Sequence, residues 1–174
     1  PRVVELPRAL WWPVLHGYIL RTRPRRSAEA YAKIWRDDGS PLLVFSEHLA
    51  EAGRTRSEQQ TAGKGVVALA MTYGEPAVDA TLEVLMAKGV RRVLVFPLFP
   101  QYSATSTGAA LDAVTRAMQQ LRWPPELRTV GDYHAGAGYL AALAASVQGY
   151  WAQHGRGQKL VMSFHGIPEK YAAS

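Results

Sequence analysis

Hydrophobic and polar positions change their spacing once along this chain. Over the first third they recur at helical intervals. Residues 9–20 (ALWWPVLHGYIL) make an apolar block that Pro13 and Gly17 interrupt, shorter than the roughly 18–20 apolar residues of a membrane span. The pattern predicts a short helix or a pair of turns there. Residues 27–37 (SAEAYAKIWRD) predict a helix, with Ser27 as its cap and Tyr31, Ile34 and Trp35 on one face. "GSPLL" predicts a turn, and residues 43–61 another helix. From residue 65 onward, short continuous apolar runs alternate with helical stretches. GVVALAMTY, RRVLVFPLF, ELRTVGDY and KLVMSF read as four strands. Between them residues 76–88, with Pro at the start and Gly89 at the end, then 105–122 and 137–154, read as helices.

Strands that are apolar throughout and separated by helices predict an α/β fold, a parallel sheet covered by helices on both faces. Residues 1–64 form a helical region ahead of an α/β core at 65–174. Sheets of this kind bind ligands beyond the carboxyl ends of their strands. Three segments fall there: MTYGEP (71–76), PLFPQYSATSTG (97–108) and SFHGIP (163–168).

Composition changes the picture little, and charge changes it in one place. The chain has 174 residues, 48% of them apolar, which suits one domain with a real core and argues against disorder. There is no cysteine, so neither disulfides nor thiolate metal ligands arise from this stretch. It opens on Pro without a charged-then-apolar leader, and no signal peptide is expected. The net charge of +6 comes from residues 1–36, with eight Lys/Arg against two Asp/Glu, while the remainder carries twelve of each. Arg21, Arg23, Arg25 and Arg26 are its densest part. A solvated face is the usual outcome for such a cluster. Two tryptophans and several aliphatics beside it instead suggest a membrane-surface contact through residues 9–26. Nucleic acid is not expected, because the basic residues are not spread along a readout element.

His165 stands just past an apolar run, where a histidine can bind a metal or accept a proton near neutral pH. The plainer reading is a histidine that only hydrogen-bonds a turn. In PLFPQYSATSTG, Pro97 and Pro100 stiffen the exit from a strand, and hydroxyls then crowd the start of a helix. That arrangement suits a carboxylate or phosphate, or else is an ordinary cap made by Ser103 or Thr105. Tyr73 beside Gly74 could stack on a planar ligand, though an isolated tyrosine before a turn is more often a core residue. GAGYLA (136–141) matches G-x-G-x-x-A, but the next strand ends in Ser163 and His165 rather than an acidic residue, so dinucleotide binding is disfavoured. Neither a P-loop nor a G-x-S-x-G elbow occurs.

Four segments together, YAKIWRDDGSPLL, MTYGEP, FPLFPQYSATSTGAAL and SFHGIPEKY, resemble the ferrochelatases, enzymes that insert ferrous iron into a porphyrin to make haem. The resemblance runs over essentially the whole chain, in the family's order. It implies a chelatase-like doubly wound domain, the first of two similar halves. The chain is similar to most of the first half; the family's opening strand is missing, and the second half would follow. The resemblance also implies residue roles. His165 matches the active-site histidine that binds iron or removes pyrrole protons. Met71 and Tyr73 match the motif lining the macrocycle pocket, and Tyr102, Ser103 and Thr107 the loop near the porphyrin. Leu10 and Trp11, with Trp12, Leu15 and Ile19, correspond to a lip over the cleft that in some members faces the membrane. Ferrous iron is then a substrate and porphyrin the partner. The expected location is cytoplasmic, peripheral to the inner face of the membrane.

Two departures from the family pattern stand out. Thr72 occupies a position that is commonly basic, so a propionate contact is missing or supplied elsewhere. The acidic partners of the histidine, and most iron–sulfur cysteines where members have them, belong to the family's second half, so zero cysteine here leaves a cluster open. Alternatives are a cobalt or nickel chelatase for a more acidic tetrapyrrole, and a non-catalytic porphyrin-binding module. Loops 71–76 and 97–108 contain no basic residue, which disfavours a polycarboxylate substrate.

Overall fold

The computed structural model describes residues 7–167 and residue 169. Pro168, Lys170 and Tyr171 of the last motif lie outside the described residues. Two compact units divide the chain, the first running through Leu85 and the second beginning at Met86.

In the first unit the opening helices are more continuous than the proline pattern suggests. Helix α1 (Arg8–Val14) passes through a wide π-helical turn (Leu15–Ile19) into α2 (Leu20–Ala32). Pro13 and Pro24 both sit inside helix. Pro13 has no amide proton to give, and the helix widens just beyond it rather than breaking. Ser27 consequently lies in mid-helix and does not cap: the helix has already begun 19 residues earlier, at Arg8. Helix α3 (Pro41–Thr61) starts with Pro at its first position, where a missing N–H costs nothing, and buries Val44 and Ala50. Helix α4 (Val78–Ala87) buries Leu82.

The run at 65–73, expected as the first strand, forms no strand; Met71 alone makes an isolated bridge, to Ala77. Its polar backbone groups are taken locally. Arg54 of α3 donates from Nε to the Val67 carbonyl at 3.2 Å. The Thr81 hydroxyl of α4, which donates to Ala77 at 2.8 Å, stands 3.4 Å from the Leu69 carbonyl. The Met71 amide donates to Pro76 at 2.8 Å. Gly65, Val67, Leu69 and Met71 are half-buried while Val66, Ala68 and Ala70 face outward, so the two-residue period of a strand survives without its ladder.

The second unit holds the sheet. Strands β1 (Arg92–Val95) and β2 (Glu126–Thr129) pair in parallel, with Arg92 opposite Glu126 and Val95 opposite Thr129. A parallel pair needs a crossover. It is supplied by a π-helical turn (Ala104–Gly108) that continues into α5 (Ala109–Met118), which buries Val114. Helix α6 (Ala137–His154) follows β2. The parallel sheet flanked by helices expected from the sequence is therefore present, with two ladder strands among the described residues instead of four. The final apolar run, 159–164, stays unpaired; Val161 is 85% exposed.

Candidate functional site

Each unit carries its own share of the site residues. In the first, Leu10 and Trp12 are exposed on α1 and Trp11 is half-buried between them. Trp12 packs against His16 at 4.8 Å between ring centroids. Arg21, Arg23, Arg25 and Arg26 are all exposed on α2, where Arg25 pairs with Glu29 at 3.0 Å. Met71 bridges to Ala77, which closes the turn that presents Tyr73. Gly74 takes φ +84°, a left-handed conformation that an L side chain would resist, and Tyr73 beside it is 75% exposed. The tyrosine is thus a presented ring and not a core residue.

In the second unit the loop after β1 brings Tyr102, Ser103 and Thr107 together. Ser103 is extended and caps the helix that follows: its hydroxyl accepts from the Ser106 amide at 3.1 Å. It also shares hydrogen bonds with the hydroxyls of Ser106 (2.6 Å) and Thr105 (3.2 Å). Tyr102 is 55% exposed just ahead of this cluster. Thr107 is fully buried, and its hydroxyl has no hydrogen-bond partner. Thr107 is thus the buried member of the loop, while Ser103 is half-buried and Tyr102 faces outward.

His165 is exposed, one residue before Gly166. Its Nδ1 lies 2.7 Å from the Gly166 carbonyl oxygen. A carbonyl can only accept, so Nδ1 is the donor in this contact, and in the neutral ring the lone pair is then on Nε2. No group of three or more His, Cys, Asp or Glu that could hold a metal occurs among the described residues.

The Ferrochelatase family profile matches residues 1–174. The chain belongs to the ferrochelatase family. It is 53% identical over 171 residues to the ferrochelatase of Thioalkalivibrio sulfidiphilus, covering 98% of this chain and 46% of that protein. Ferrochelatases of Marinobacter nauticus and Nitrosococcus oceani are each 47% identical, again over 98% of this chain and 46% of theirs. The chain spans about half the length of the curated relatives it matches. The family match runs through every segment that carried the resemblance in sequence.

One arrangement escaped the sequence reading. Asp132 and His134, just after β2, stand with Oδ1 and Nδ1 3.3 Å apart. The signal was a D-x-H spacing in the connection after β2, where His134 enters a turn.

Proposed function

We propose that this chain contributes to the insertion of ferrous iron into protoporphyrin IX to form protohaem, with His165 as the residue that meets the metal and the pyrrole protons. The observation that carries the proposal is the 2.7 Å contact from Nδ1 to the Gly166 carbonyl, which engages Nδ1 and leaves Nε2 as the ring nitrogen available to a ligand on an exposed side chain. Family membership supports the reaction class.

A flat porphyrin keeps its nitrogen lone pairs in the ring plane, where an approaching cation reaches them poorly. Gripping and puckering the ring exposes them, and that calls for aromatic and apolar walls. Tyr73 with Met71, Tyr102 with Ser103, and Leu10 with Trp11 supply such surfaces, and Thr107 supports the second pair from beneath. Ser103 and the start of its helix suit a propionate carboxylate. Two pyrrole protons leave as the iron enters, and Nε2 of His165 accepts one or holds the metal. Iron is substrate here. The exposed apolar side chains of residues 9–20 beside the arginines of 21–26 fit a peripheral contact with an anionic membrane on the cytoplasmic side, the source of a greasy porphyrin. No helix among the described residues is long and apolar enough to cross a membrane.

The test is His165→Ala in the whole protein, with zinc or ferrous iron and protoporphyrin. Metal insertion is expected to fall by about 10²–10⁴-fold, the range for loss of a proton-transfer group, while porphyrin affinity is kept. Lost binding with normal turnover per bound porphyrin would contradict the assignment.

A further inference from the structure

The connection from residue 130 to 136, at the carboxyl end of β2, is braced along its length. The Val130 amide donates to Val95 (3.0 Å), the Tyr133 amide to Pro100 (2.9 Å), and the Gly136 amide back to Tyr133 (2.9 Å). The Tyr133 ring stacks on Phe96 with centroids 4.7 Å apart and meets Tyr139 edge-on at 5.5 Å. A Cβ at Gly136 would stand 3.0 Å from the Tyr133 carbonyl, so glycine alone closes this turn without a shift. Asp132 and His134 are exposed on either side of half-buried Tyr133, His134 within the turn that the Gly136 amide closes.

Asp132 Oδ1 lies 3.3 Å from His134 Nδ1. First-row divalent cations hold imidazole nitrogen and carboxylate oxygen at about 2.0–2.2 Å, and ligand angles between octahedral and tetrahedral then set the N···O separation at about 3.0–3.4 Å. The pair already has the bite of a chelate. It also occupies the end of the sheet where this class of fold receives its ligands. The Pro100 contact ties it to the loop that carries Tyr102 and Ser103.

We propose that Asp132 and His134 form a two-ligand capture site for a hydrated first-row divalent cation. Two protein ligands leave water in the remaining coordination positions. The positive end of α6, which begins at Ala137, further disfavours tight holding. Weak, fast-exchanging binding is what a station that passes a cation onward requires. That the captured cation is the one to be inserted rests on the chelatase reading above; the binding itself does not.

Co²⁺ serves as the probe. It is titrated into the whole protein carrying His165→Ala, with NMR of the histidine ring signals and calorimetry. The His134 signals shift or broaden before those of His16, His48 and His154. Affinity for Co²⁺ falls at least ten-fold in His134→Ala and several-fold in Asp132→Asn on that background. Unmoved His134 signals, or equal affinity in His134→Ala, overturn the site and leave the pair a surface salt link. With His165 intact, His134→Ala raises the KM for metal several-fold and not that for porphyrin. Unchanged metal KM alongside lost Co²⁺ binding overturns the supply role. Absence of turnover in the unaltered protein refutes the chelatase reading and with it the supply role, while the Co²⁺ titration still decides the site.

Discussion

Replacing Thr107 by Val tests how the loop that carries Tyr102 and Ser103 is supported. Thr107 is fully buried and its hydroxyl is unpaired. On the scale of protein mutations an unpaired buried hydroxyl costs roughly 1–3 kcal/mol. Val keeps the β-branch, the rotamer preference and nearly the same volume, so neither a cavity nor a new side-chain entropy cost enters. Thr107→Val is therefore expected to stabilise the protein by about 1–2 kcal/mol. In a chain of this length each kcal/mol moves Tm by about 2–4 °C, so the rise falls at about 2–8 °C. Urea denaturation reads it as a higher midpoint at unchanged slope. Thr107→Ser is the control: it keeps the hydroxyl, deletes a methyl group and loses about 1 kcal/mol. A Thr107→Val protein as stable as the parent, or less so, would mean that the hydroxyl is paired in the folded state, and the reasoning fails. Porphyrin affinity in the same variant separates support from contact. Unchanged affinity fits a residue beneath the loop, and weakened affinity puts the hydroxyl against the ligand.

Ser103→Ala removes the cap that accepts from the Ser106 amide and should cost about 1 kcal/mol, with Ser103→Asp recovering most of it in the same denaturation assay. Burial, and secondly the neighbouring Tyr139, raise the pKa of Tyr133 above its ordinary value of 10.0. The folded state thus holds that proton more tightly than the unfolded chain, and the associated stability is full below pH 10 and lost as pH rises through the higher folded value. Tyr133→Phe should flatten this alkaline limb in equilibrium unfolding measured across that range; an equally steep limb would count against the assignment. Arg21, Arg23, Arg25 and Arg26 should hold the protein on anionic vesicles at low salt and release it at high salt, while Trp12, 64% exposed, adds an apolar anchor, so that Trp12→Ala binds more weakly in co-sedimentation. No sedimentation of the whole protein with anionic vesicles at low salt would remove residues 9–26 from any membrane role.

Legibility in the sequence followed how local each cause was. Helix α6 occupies the residues its apolar spacing predicted, 137–154, and α3 ends at the predicted Thr61, because helical hydrogen bonds close within the segment itself. Strands need a partner, and only β1 and β2 have one among the described residues. The run at 65–71 kept its period but gave its Val67 carbonyl to Arg54, a competition that no pattern of apolar residues announces. Proline misled in the other direction, since Pro13 reads as an interruption and lies within helix. At the candidate site, the Ser103 cap and the hydroxyl cluster were legible from residue type alone. The Nδ1 contact of His165 and the Asp132–His134 separation were not, because both depend on where a ring turns after its backbone is set.

The two-stranded sheet also has a chemical asymmetry that bears on handling the protein. β1 and β2 each leave one edge without a ladder partner among the described residues. Beside the β2 edge, Glu126 and Arg128 pair at 3.0 Å, and such charges discourage another chain from adding a strand. β1 has no comparable guard near its middle: Leu94 is exposed, with Phe96 exposed just beyond the strand. Self-association through strand addition would therefore start on the β1 side, and a single lysine at position 94 would act as a gatekeeper there, improving solubility without touching the loops that carry Tyr73 and Tyr102.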